Sequence, residues 1–182
     1  MLSCRRWGDV AGVEISDAAR ALLSGSGVRY WPDLVSVPDS ELFGLIRMNW
    51  SLEHVHAPNA QFAFIAAHLS PGGRVVIAVQ NYDGLIYRLA PDCVELPIHL
   101  YHFRPKDLAA YGECHGLHAI RITTFSYPDM FRVAAEVGML PDVFGGCSGI
   151  AAARSMLRTL SYFDRAGWGN DMVAVLEKRP AA

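Results

Sequence analysis

Apolar and polar positions along the chain switch between two periods. Val10, Val13 and Ile15 make a short apolar run, and Ser16 after it is suited to cap a helix. Asp17 falls in the first turn of that helix, and Ala18, Ala19, Ala21, Leu22 and Leu23 form its body. Gly25 and Gly27 end it. Residues 28–31 read as a second strand, closed by Pro32 and Asp33. Residues 42–48 read as a third, with residues suited to burial on both faces. Ala57-Pro58-Asn59 opens a helix in which Phe62, Ile65, Ala66 and Leu69 share one face. Pro71-Gly72-Gly73 predicts a turn. The Val-Val-Ile-Ala-Val run inside 74–79 predicts a central parallel strand. Pro105 suits the first turn of a helix ending near Gly116. Residues 119–125 alternate as a strand does. Ile150, Ala153, Leu157 and Leu160 mark a later amphipathic helix, and 172–176 a last strand.

Strands alternating with helices predict an α/β fold: a mostly parallel sheet flanked by helices. The expectation is one domain over residues 1–182, with a helical insertion at 128–169 that covers a substrate mouth, forms a homodimer contact or adds core. In such sheets ligands sit beyond the carboxyl ends of the strands. Three strand ends carry polar or acidic groups: Glu14, Asp33, and residues 49–54. A carboxylate at Glu14 can accept both hydroxyls of a ribose, or serve as an acid at a helix N-terminus. Asp33 can accept from an adenine amino group.

Composition narrows the class. The 182 residues are 52% hydrophobic and 19% charged, which excludes a disordered, solvating segment. Sixteen Lys and Arg stand against eighteen Asp and Glu, so no basic field exists to hold a nucleic-acid backbone. The longest apolar run is far below the roughly 20 residues that span a bilayer. No apolar segment follows Arg5 and Arg6, so no signal peptide is expected. Cys4, Cys93, Cys114 and Cys147 form no C-x-x-C pair, and a reduced, cytoplasmic setting is expected. His54-x-His56, His99-x-x-His102 and Cys114-His115-x-x-His118 are the candidate metal pairs, but they do not make a closed structural set, and no metal is expected.

In chain order, these residues resemble the class I S-adenosylmethionine-dependent methyltransferases, in their branch acting on small molecules and lipids by O-methylation. Residues 13–16 look like the second strand with its ribose acid. Leu52-Glu53-His54-Val55-x-x-Pro58 is similar to the segment after the fourth strand, and Leu69-x-Pro71-Gly72-Gly73 to the turn into the fifth. Asn81-Tyr82-Asp83 and His99-Leu100-Tyr101-His102-Phe103-x-Pro105 resemble the segments that follow. The resemblance covers about residues 10–127 and the final strand. It implies a strand order of 3-2-1-4-5-7-6.

The resemblance implies S-adenosylmethionine as cofactor, held by Glu14, Asp33, Asn49, Trp50 and Ser51, and a small-molecule acceptor. Methyl transfer from a sulfonium needs an aligned nucleophile and sometimes a base. His54 is the candidate base, or else it packs the helix start; Glu53 is read as a structural polar contact. Tyr82, His99, Tyr101 and His102 are candidates to line a pocket for a phenolic or planar acceptor, or else are core anchors and loop residues. Two features depart from the family. Ile98 stands where an Arg is usual. Only nine residues precede Val10, with Gly8 their sole glycine, so the first strand and its glycine-rich loop are expected to be missing and cofactor binding weakened. The alternative is a non-catalytic remnant or interaction module; a dehydrogenase lacks its G-x-G-x-x-G here.

Overall fold

In the computed structural model, which describes residues 6, 8–92, 97–127 and 150–180, the first apolar run becomes β1 (Ala11–Val13). Helix α1 (Asp17–Leu23) follows, and then β2 (Arg29–Trp31). The start of α1 is fixed locally. Ser16 Oγ accepts from the Ala19 N–H, and the Glu14 carboxylate accepts from the Ser16 N–H at 2.9 Å. Arg20 donates to the carbonyls of Glu14 and Ile15 and pairs with Asp17, which folds the chain back over the turn. β1 and β2 pair in parallel, with Val13 opposite Trp31, and the Glu14 N–H extends the ladder to the Trp31 carbonyl. These elements belong to one compact unit, Met1–Leu42; the second unit is Phe43–Ala182.

The second unit holds β3 (Phe43–Asn49), a 3-10 turn (Leu52–His54) and α2 (Pro58–His68). It continues with β4 (Leu69–Gln80), α3 (Leu85–Leu89), α4 (Pro105–Cys114) and β5 (Leu117–Phe125). Helix α5 (Ile150–Arg165) and β6 (Asp171–Lys178) complete it. Its sheet has the order β3-β4-β6-β5. β3 and β4 are parallel, and β6 runs antiparallel to both β4 and β5. Three strands therefore share one direction and β6 opposes them. The family order, with this chain's strands taken in sequence, predicts β2-β1 for one part and β3-β4-β6-β5 for the other, and both sheets have it. The segment before Val10 lies largely outside the described residues.

Burial explains the order. Val75, Ile77 and Val79 on β4 are fully buried, as are Met172 and Leu176 on the neighbouring β6. Phe62 and Ile65 of α2 and Leu108 of α4 bury against the same core. Pro105 opens α4, where the Arg104 N–H donates to Asp107 at 2.9 Å.

Two local expectations change, and one short helix was not expected. Residues 71–73 do not separate helix from strand: α2 ends at His68 and β4 begins at Leu69. Between Phe43 and Leu45 the partner strand advances from Leu69 to Arg74, so Pro71-Gly72-Gly73 is carried as a bulge inside β4. Gly72 sits at φ 73° there, where a side chain would be strained. β3 is not buried on both faces, because it is the edge of its sheet and Leu45 stays 61% exposed. Helix α3 carries no signal in the apolar pattern. The expected insertion at 128–169 lies outside the described residues up to 149, and its later part is α5.

Candidate functional site

The carboxyl ends of β3, β4 and β5 and the start of β6 meet at one end of the second sheet, since Gln80 lies opposite Asp171 and Asp171 opposite Phe125. Asn81, fully buried just past β4, ties this end together. Its Nδ2 donates to the carbonyls of Gly167 (3.1 Å) and Gly169 (2.7 Å), and its N–H donates to the Asn170 carbonyl. Asn170 Oδ1 accepts from the Ile86 N–H at 2.8 Å and so anchors α3. The Tyr82 N–H donates to the Phe103 carbonyl, and the N–H groups of Leu100 and Tyr101 donate to the Glu53 carbonyl. These backbone bonds draw residues 52–54, 81–84 and 98–104 into one place.

The side chains they bring together form a row of rings. His54 and His99 have centroids 4.8 Å apart, His99 and His102 6.5 Å, and His102 and Tyr82 5.3 Å. Tyr87 packs on Tyr82 at 5.2 Å and donates from its hydroxyl to Gln80 Oε1. Arg104 lies over the Tyr82 ring at 5.6 Å, with Asp83 close to its guanidinium. His54 is exposed, and its Nδ1 lies 2.8 Å from the Ile98 carbonyl. As the donor in that bond, Nδ1 carries the proton and Nε2 is left as the acceptor. Tyr101 departs from the row: its hydroxyl donates to the His56 carbonyl and its ring stacks on Phe103. It lines a separate pocket of about 300 Å³ with His102, Asp107 and Tyr111.

Two carboxylates sit beside the row. Glu53 is 2% exposed, and its Oε2 is buried with no hydrogen-bond partner. Burial pushes its pKa up, against the pull of His54 and His99. Asp171, also 2% exposed, is pushed up to about 7 by burial first and then by the nearby Glu53 and Asp164 charges. Of the residues singled out in the sequence, the structure brings His54, Tyr82, His99 and His102 together; beside them it sets Tyr87 and Asp171, which the sequence did not single out, and Glu53, read there as a structural polar contact. An acid opening an apolar strand has no spacing that ties it to residues 53 or 99.

The expected cofactor residues divide between the units. In the first, Glu14 and Asp33 follow the carboxyl ends of two paired parallel strands. Glu14 Oε1 holds the Ser16 N–H, and Asp33 Oδ1 accepts from the Ser36 N–H and hydroxyl, which lowers the Asp33 pKa. The Val35 N–H also acts on the Asp33 carboxylate. In the second, Asn49 Oδ1 accepts from Arg47, and Ser51 precedes the 3-10 turn. Trp50 is the sole described non-glycine at positive φ, 52°, held there by its N–H on the Ala78 carbonyl. Strain of this kind collects at functional sites.

The model of the methyltransferase domain family matches residues 2–122. The chain belongs to that family. Its α/β fold is the fold of solved S-adenosylmethionine-dependent methyltransferases. One from Thermotoga maritima is 16% identical with a TM-score of 0.62, over 93% of this chain and 73% of that one. One from Archaeoglobus fulgidus is 16% identical with a TM-score of 0.62, over 97% and 79%. A 1,6-didemethyltoxoflavin N1-methyltransferase from Burkholderia thailandensis, solved with its substrate and S-adenosylhomocysteine, is 16% identical with a TM-score of 0.56, over 94% and 62%. A search of curated proteins finds no match. S-adenosylmethionine is the methyl donor of this class. Among the described residues of this methyltransferase, no helix is long and apolar enough to cross a membrane.

Proposed function

We propose that this methyltransferase transfers a methyl group from S-adenosylmethionine to a small, phenolic or planar organic acceptor. The observation that carries the reading is the ring row His54–His99–His102–Tyr82 at the carboxyl end of the sheet. Flat rings favour a flat acceptor through stacking and edge contacts. His54 Nε2 takes the acceptor's proton, and Tyr82, His99 and His102 orient the acceptor. Tyr101 belongs to the rim, through the pocket it shares with His102.

The cofactor, when bound, supplies an electrophilic methyl on a sulfonium. Within each unit taken by itself the chemistry suits it: the carboxylates of Glu14 and Asp33 suit ribose hydroxyls and an adenine amino group, and in the other unit Asn49, Trp50 and Ser51 follow a strand end. A second reading has its own support. Both Glu14 and Asp33 already spend one oxygen on a local cap, as purely structural acids would in a non-catalytic domain.

One experiment separates the two. Calorimetry with S-adenosylhomocysteine is run on the wild-type chain and on Glu14→Ala, beside tritiated methyl transfer to a panel of phenols and planar heterocycles. The methyltransferase reading expects binding that Glu14→Ala weakens and label on at least one acceptor, lost in Tyr82→Ala. Absence of both binding and label overturns it in favour of the non-catalytic domain.

A further inference from the structure

We propose that Glu53, His54 and His99 form a binding site for a divalent cation of the zinc type. One donor atom from each lies within 4.8 Å of the others. Two imidazoles and a carboxylate are a donor set that suits borderline first-row cations and leaves a position open. Donors about 2.0–2.2 Å from an ion require the triangle to close slightly on binding. The exposed His54 side chain, held through one hydrogen bond, has room to supply that movement.

Three observations point to a ligand rather than a chance cluster. Glu53 is 2% exposed and its Oε2 has no hydrogen-bond partner, an arrangement that costs free energy unless a cation or proton fills it. The groups that act on its charge are the two proposed co-ligands, His54 and His99, and Asp171, an acid of the same sign; among the described residues no Arg or Lys forms an ion pair with Glu53. The Ile98 carbonyl at His54 Nδ1 is the outer-sphere contact that orients a ligating imidazole and leaves Nε2 to coordinate.

The inference goes beyond methyl transfer and revises one part of that reading, because His54 Nε2 cannot ligate a cation and accept a proton together. With the cation in place, a hydroxyl of the acceptor at the open position would be made more acidic, and its proton would pass to solvent water rather than to His54. The binding itself requires neither donor nor acceptor, so it is measured without them and its failure is separate from failure of the methyltransferase reading.

The chelator-treated full chain is titrated with zinc chloride by calorimetry and with cobalt(II) by visible absorption. The expected result is one cation per chain and a cobalt d–d band, with affinity at least tenfold weaker in His54→Asn and in Glu53→Gln. His118→Asn, which alters an exposed histidine paired with Glu113, is expected to leave the affinity unchanged. The proposal is overturned if the wild-type chain does not bind, if His54→Asn binds as tightly as wild type, or if only His118→Asn weakens binding. Far-UV circular dichroism checks the fold of Glu53→Gln. Should that core variant not fold, the exposed His54→Asn decides alone.

Discussion

His54 is joined to the backbone one residue before His99: its Nδ1 meets the Ile98 carbonyl at 2.8 Å, and the two rings stand 4.8 Å apart, tilted by 56°. The carbonyl fixes the tautomer, and His99 holds the ring in place. If His54 Nε2 accepts the acceptor's proton, His54→Gln lowers turnover by about 10²–10⁴-fold, the usual contribution of a positioned base. The KM for the donor stays close to wild type. A variant that turns over as fast as the wild-type chain removes His54 from this role.

Trp50 gives a prediction with opposing signs. At φ 52° an L side chain pays about 1–2 kcal/mol that glycine does not. Trp50→Gly and Trp50→Ala both delete the ring, but only the first relieves the backbone. Trp50→Gly is therefore expected to melt about 2–4 °C above Trp50→Ala, the effect of roughly 1 kcal/mol in a chain of this size. Both variants are expected to lose affinity for S-adenosylhomocysteine. Equal melting temperatures would show that the strain is absent.

Much of this arrangement was legible in the sequence because it rests on period and on caps. Phe62 and Ile65 fall on one helical face, Ser16 and Pro105 mark helix starts, and the Val-rich run of β4 is buried as such runs are. His54, His99, His102 and Tyr82 were candidates because the resemblance quotes their segments. What stayed hidden depends on contacts between distant segments. Asp171 is perturbed by Glu53, 118 residues away in sequence, through a strand pairing that no local pattern encodes. Tyr101 was a candidate to line the acceptor pocket, and its hydroxyl bond to the His56 carbonyl is a contact between distant segments that no local pattern shows. The bulge at 71–73 reads as a turn because the same residue types serve both.

Gly84 supports the site from behind. A Cβ there would lie 2.7 Å from the Asn170 Cα and 2.8 Å from the Asn81 carbonyl oxygen, both on backbone that cannot swing away. Gly84→Ala is expected to cost about 1–3 kcal/mol, the range for overpacked sites. It should also displace Tyr82, two residues earlier. Gly44→Ala, with nothing within 4 Å of its Cβ, serves as the control and should change stability little. Urea unfolding of the pair measures the difference, and equal midpoints would show that the segment yields without strain.

The last prediction concerns pH. Asp171 has an ordinary carboxyl value of 3.8 when unfolded and about 7 in the folded chain, raised by burial and then by Glu53 and Asp164. Between those values the folded state holds a proton that the unfolded state has released. Stability from this group is therefore fully present below about 3.8 and is lost as pH rises through about 7. Each tenfold difference in proton affinity corresponds to about 1.4 kcal/mol, so the loss amounts to a few kcal/mol. Glu53 is shifted in the same direction and adds to the slope. The melting temperature of the metal-free chain is expected to fall from pH 5 to pH 8, and Asp171→Asn, which cannot ionise, is expected to flatten that fall and raise the value at pH 8. Differential scanning calorimetry at the two pH values is the measurement. A slope in Asp171→Asn as steep as in the wild-type chain would mean that Asp171 is solvated in the native state and that its burial beside Glu53 has no energetic consequence.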